Sequence, residues 1–200
     1  MSSSRRTVSR ETSLDDMKLA DLSEAQLVSH FRDYFPVGER TLIGIGDDCA
    51  QIAAPEGSFI VTTDVMVEDQ HFHLSWSTGY EVGARVAAQN LADIDAMGGR
   101  PSGLVASVVA PRDMDAEVFL DVVRGLGERA REVGAGVVGG DLSAGEKLVI
   151  SITAFGYCPG PIVRRDGAQP GDVIAVSGTL GFSYAGLDLL SGGYVDPAAR

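Results

Sequence analysis

Three apolar runs in this sequence lead into aspartate. Leu42-Ile43-Gly44-Ile45-Gly46 precedes Asp47-Asp48, Phe59-Ile60-Val61 precedes Thr62-Thr63-Asp64, and Gly136-Val137-Val138-Gly139-Gly140 precedes Asp141. Read as strands ending at one edge of a sheet, they would deliver Asp48, Asp64 and Asp141 to a shared crevice. Carboxylates that close repel one another strongly. A hard divalent cation relieves the repulsion, and a donor set of aspartates and threonine hydroxyls favours magnesium over zinc or copper. Asp93 is a fourth candidate, one helical turn from Asn90 and Met97 within Asn90-Leu91-Ala92-Asp93-Ile94-Asp95-Ala96-Met97. Asp47, Asp95 and Asp113 are read instead as turn, cap or solvent-facing residues.

Glycines flank two of these acids: Gly44 and Gly46 before Asp48, Gly139 and Gly140 before Asp141. They either let backbone N–H groups approach a phosphate or simply make a tight turn. Gly145-Glu146-Lys147-Leu148 lacks the upstream glycine and the hydroxyl residue of a phosphate loop. Gly44-Ile45-Gly46 lacks the third glycine of a dinucleotide fold. His71 and His73 alternate in a run, Asp69–Leu74, that reads as a strand, which would put them on one face. Three roles stay open for them: packing, reaching a substrate phosphate, or a zinc site with Cys49 as the obvious thiol. Arg164-Arg165 either grips phosphate or is a solvated pair. No residue stands out as an activated nucleophile, so no covalent enzyme intermediate is expected.

The elements that must hold these residues read as α/β, a mixed sheet with flanking helices. Ser23 to Gln26 forms a capping box ahead of a helix over 24–34, with Leu27, Val28, Phe31 and Phe35 at helical spacing. Thr78 with Glu81 opens a second helix that runs to Met97 and stops at Gly98-Gly99. Asp115 is expected to cap a third helix, ended by Gly134. Strands are expected at Thr41–Ile45, Gln51–Ala53, Phe59–Thr63, Leu104–Ala110, Ala135–Val138, Leu148–Tyr157 and Asp172–Ser177, with a last helix near 183–191. Residues 1–20 then form a disordered tail and 21–160 an α/β domain binding ATP and metal. Residues 161–200 form a linker and the incomplete opening of a second domain.

Bulk properties narrow the partners. The 200 residues carry a net charge of -12, a field that repels nucleic acid. ATP would be repelled too unless cations intervene, which agrees with the acids as metal ligands. Hydrophobic residues make up 44% and charged residues 22%, ordinary for a soluble domain. No apolar run is long enough to cross a bilayer, and Met1 to Ser13 lack the apolar stretch of a secretory signal. Cys49 and Cys158 form no CxxC pattern, so a reducing cytoplasm is expected.

Taken in order, Gly44 through Ala50, Thr62-Thr63-Asp64, His71-Phe72, Asn90 through Gly98, Gly139-Gly140-Asp141 and Pro170-Gly171-Asp172 resemble the thiamine-monophosphate kinase family. The resemblance spans about 21–190. It implies the fold shared with aminoimidazole ribonucleotide synthetase and selenophosphate synthetase, in which the first domains pair as a homodimer. It implies that Asp48, Thr62, Thr63, Asp64, Asp93 and Asp141 ligate metal, that Gly140 and Arg165 contact ATP, and that His71 contacts the substrate. Selenophosphate synthetases carry a reactive cysteine or selenocysteine in the N-terminal segment, and here no cysteine precedes Cys49. The implied reaction is phosphorylation of thiamine monophosphate by ATP, in line and with Mg²⁺, to give thiamine diphosphate. The alternatives are a non-catalytic nucleotide- or metal-binding module and another ATP-dependent member of the superfamily. Family members continue into a second domain with a further metal-binding motif, so this chain is expected to bind Mg²⁺–nucleotide with little turnover.

Overall fold

A computed structural model describes residues 17–43, 45, 51–54 and 57–192. Asp47, Asp48 and Cys49, with Gly44 and Gly46, lie outside the described residues. The chain divides into two compact units between Val163 and Arg164.

Local signals set the helices of the first unit. In α1 (Glu24–Tyr34) the Ser23 side chain accepts from the Gln26 N–H, and the Gln26 side chain accepts from the Ser23 N–H. Thr78 and Glu81 make the same reciprocal cap on α2 (Gly79–Ala96), and Gly98 follows it at φ 73°. Gly134, at φ 72°, follows α3 (Ala116–Glu132). Asp115 is the N-cap of α3, but its carboxylate makes no cap and pairs with Lys18 instead. Leu19 donates its N–H to the Met114 carbonyl and is buried in the core, so residues just before 21 already belong to the packed body.

A short antiparallel pair, β1 (Thr41–Ile43) and β2 (Gln51–Ile52), stands apart from the main sheet. The main sheet comprises β3 (Ile60–Val67), β4 (Arg100–Ala110), β5 (Gly136–Ala144) and β6 (Val149–Tyr157), in the order β3-β6-β4-β5. β6 runs antiparallel to β3 and β4, while β5 is parallel to β4, so β3, β4 and β5 all point one way. Helix α2 carries the chain from β3 to β4 and α3 from β4 to β5, and both cover the same face. Met66, Leu104, Ala106, Ile150, Ile152 and Ala154 are buried there. Helices α2 and α3 meet at glycine. A Cβ on Gly83 would lie 2.0 Å from the Val122 carbonyl oxygen, and one on Gly125 would lie 2.0 Å from that of Tyr80. The opposite face of the sheet is open, with Val61 54% exposed and the Phe59 and Phe155 ring centroids 5.9 Å apart.

Four strand expectations change. β3 and β5 continue past Thr63 and Val138, through the acids. Residues 69–74 form a turn, not a strand, with Asp69 at φ 64° and a single bridge from Glu68 to Phe72. In the second unit, residues 172–177 form no strand and Ile174 is 97% exposed. A strand needs a hydrogen-bonded neighbour, and the described part of that unit supplies one helix, α4 (Phe182–Ser191), and no second strand.

Candidate functional site

Strand alternation decides where each acid points. On β3, Thr62 and Asp64 share the face of buried Met66 and turn toward α2. Helix α2 answers with Gln89, Asn90 and Asp93, which lie within about one turn of one another. The Thr62 hydroxyl donates to Asp93 Oδ2 at 2.8 Å, and Gln89 Nε2 donates to Asp64 Oδ2 at 3.1 Å. The Asp64 backbone N–H donates to Asn90 Oδ1 at 3.1 Å, while Asn90 Nδ2 donates to the Val86 carbonyl at 2.9 Å. Asn90 is fully buried, Asp64 is half-buried and Asp93 is exposed. The result is an acidic corner whose backbone is held from the core by Asn90 and whose carboxylates are held nearer the surface by Gln89 and Thr62.

Thr63 and Asp141 face the other way. Asp141 on β5 pairs with Ser107 on β4, Ser107 with Ser151 on β6, and Ser151 with Val65 on β3, a row lying on the open face. Ser143 Oγ donates to Asp141 Oδ2 at 3.0 Å. Thr63 Oγ1 donates to the Ile152 carbonyl at 2.9 Å and accepts from Thr153 Oγ1 at 3.3 Å. Asp141 and Asp64 are separated by three strand spacings, about 14 Å in the plane of the sheet, and by the sheet itself. The structure thus brings Thr62, Asp64 and Asp93 together and leaves Thr63 and Asp141 apart from them. Among the described residues, no three His, Cys, Asp or Glu side chains stand close enough to hold a metal ion. A shared crevice at strand ends required the strands to stop at the acids; they run on, and parity divides the set between two faces.

Gly140 is needed for packing: a Cβ there would lie 1.9 Å from the Ala106 carbonyl oxygen, whereas one on Gly139 would meet open space. A cavity of about 1000 Å³ runs along β5, walled by Phe31 and Phe35 of α1, Ile52 of β2 and Gly139, Gly140 and Asp141.

The two histidines do not share a strand face, because the residues around them form a turn. The Val67 N–H donates to His71 Nδ1 at 3.0 Å, so the proton of the neutral ring sits on Nε2. His73 Nδ1 lies 3.1 Å from Asp69 Oδ1, and its ring packs against Trp76 at a tilt of 57° with centroids 4.1 Å apart. Lys147 Nζ donates to Asp69 Oδ2 at 3.0 Å, tying this turn to the one between β5 and β6. The Lys147 ammonium, and then His73, hold the Asp69 carboxyl below the usual carboxylate range. Arg165 lies in the second unit and is exposed. Sequence reading missed Gln89. Its only signal is an amide beside Asn90, one helical turn before Asp93.

Fold and site together define a two-layer α/β domain, with an acidic helix–strand corner under one face of its sheet and a Gly-Gly-Asp strand at its far edge. The chain belongs to the family of AIR synthase related proteins, whose N-terminal domain matches residues 46–158. Over 156 residues it is 45% identical to the thiamine-monophosphate kinase of Mycobacterium tuberculosis, covering 78% of this chain and 47% of that protein. The crystal structure of thiamine-monophosphate kinase from Stenotrophomonas maltophilia K279a matches with a TM-score of 0.73 at 30% identity, over 90% of this chain and 56% of that one. AaThiL complexed with AMPPCP and TMP matches with a TM-score of 0.66 at 31% identity, over 90% of this chain and 57% of that one. The chain spans about half the length of the curated relatives it matches.

Proposed function

We propose that this chain is the nucleotide- and metal-binding part of a thiamine-monophosphate kinase, an enzyme that moves the γ-phosphoryl group of ATP onto the phosphate of thiamine monophosphate. The observation that carries the reading is the 45% identity, over 156 residues, to a protein named for that reaction. The donor chemistry agrees. Asp64 and Asp93 each use Oδ2 inside the corner, and among the described residues nothing hydrogen-bonds their Oδ1 atoms. Oxygen donors of this kind suit Mg²⁺, one ion held by Thr62, Asp64 and Asp93, while Asp141, Thr63 and Asp48 would serve as ligands of further, separate ions. When bound, Mg²⁺ would neutralise the two anions that the reaction brings together.

The chain's own groups then bind and orient. The acceptor is a phosphate oxygen that is already anionic, so no side chain is needed as a strong base. His71 presents Nε2–H to the phosphate of thiamine monophosphate, because Nδ1 is occupied by the Val67 N–H. The cavity along β5 receives ATP, its apolar wall taking the base and Gly140 and Asp141 lying toward the phosphates. Arg165 is a further ATP contact. The open face, with Phe59, Val61 and Val65 exposed, is where a second copy pairs to form a homodimer through the first domain. Residues 161–200 open the second domain, and the reaction belongs in the cytoplasm. Among the described residues, no helix is long and apolar enough to cross a membrane.

Calorimetric titration of ATP with Mg²⁺ tests the binding half. Asp64→Asn, Asp93→Asn and Asp141→Asn should each weaken binding about tenfold while the fold persists, since charge is lost at nearly constant volume. Unchanged affinity in all three variants removes these acids from the metal site. Formation of thiamine diphosphate by the chain extended through its second domain tests the reaction itself.

A further inference from the structure

Two consecutive amides of α2 converge on one residue of β3. β3 is an edge strand whose Asp64 pairs with Ile152 of β6, and Asn90 adds a side-chain acceptor to the Asp64 N–H. Its other polar atom is anchored on the Val86 carbonyl, so the buried amide has no freedom to swing away. Gln89, exposed on the next position of the helix, reaches the Asp64 carboxylate itself at 3.1 Å.

We infer that Gln89 and Asn90 form a positioning pair for Asp64, Asn90 fixing its backbone and Gln89 its carboxylate, so that the corner meets a divalent cation with a preset oxygen. The inference rests on Asp64 being a cation ligand. A carboxylate already held by a donor loses less rotamer freedom on binding, and hydrogen bonds from outside the ligand shell commonly change metal affinity by tenfold or more. Asn90 also keeps α2, and with it Asp93, at the height where Thr62 meets the Asp93 carboxylate. Asn90 is a structural part of the core; Gln89 is not, which separates the two roles experimentally.

The test uses Mn²⁺ alone as probe, titrated into the wild-type chain, Gln89→Ala and Asp64→Asn and followed by the paramagnetic resonance of free Mn²⁺. Gln89→Ala should bind Mn²⁺ about tenfold more weakly with an unchanged melting temperature. In metal-free protein, the side-chain NH₂ resonances of Gln89 should move in Asp64→Asn, reporting the hydrogen bond directly. If Asp64→Asn loses affinity while Gln89→Ala keeps it, the positioning role is overturned and Asp64 stays a ligand. If Asp64→Asn itself binds Mn²⁺ as well as wild type, both fall.

Discussion

Replacing Asn90 with leucine should cost the protein more than its modest change in size suggests. The substitution keeps the number and branching of the side-chain heavy atoms but removes the side-chain oxygen that accepts from the Asp64 N–H beside the pairing of Asp64 with Ile152. Removing both partners of a buried hydrogen bond can be nearly neutral. Removing one leaves the other unsatisfied, at about 1–3 kcal/mol, with the lower end expected here because Asp64 keeps its pairing with Ile152. The second bond matters less, because the Val86 carbonyl keeps its backbone partner inside α2. Burying the extra apolar surface returns about 1 kcal/mol. The net loss is then at most about 2 kcal/mol, which for a chain of this size lowers the melting temperature by at most about 8 °C. Urea unfolding measures the global term, and amide hydrogen exchange at Asp64 measures the local one. Exchange at Asp64 should accelerate more than at Met66, whose side chain stays in the core. An Asn90→Leu protein with wild-type stability and an equally protected Asp64 amide would refute the reasoning.

Other expectations follow from contacts away from this bond. Gly83→Ala places a Cβ 2.0 Å from the Val122 carbonyl oxygen, which α2 and α3 can accommodate only by moving apart. A loss of about 3 kcal/mol in urea unfolding is expected, and a loss below about 1 kcal/mol would show that the helices have slack. Lys147 and His73 lower the folded-state pKa of Asp69, so their stabilisation is present above the unfolded-state value and is lost as pH falls through the folded one. In a carboxyl carbon NMR titration, Asp69 should therefore titrate below unfolded aspartate, and Lys147→Met should move its midpoint upward. An unmoved midpoint would mean the ion pair is not held in solution.

Much of the local structure was legible because it depends on residues a few positions apart. The boxes Ser23/Gln26 and Thr78/Glu81 are self-contained, and the bounds of α1 and α2 follow from them. Asp115 shows the limit of such signals: the position is an N-cap, but a lysine 97 residues away in sequence takes the carboxylate. The run Asp69–Leu74 alternates like a strand. It turns instead, because Asp69 adopts a left-handed conformation and its carboxylate is claimed by Lys147 and His73.

The sequence by itself determined which residue types are available: aspartates beside glycine and threonine, a histidine pair, an acidic chain suited to cation-mediated phosphate binding. It could not decide which of them meet. Whether an acid faces the helices or the open side depends on the parity of its position in a strand and on the register of that strand against its neighbours. A change of one residue in either reverses the answer. Only the assembled sheet puts Asp64 beneath Gln89 and Asn90 and turns Asp141 to the opposite face. Pairing and helix packing act over long sequence separations, where spacing along the chain carries no information about distance.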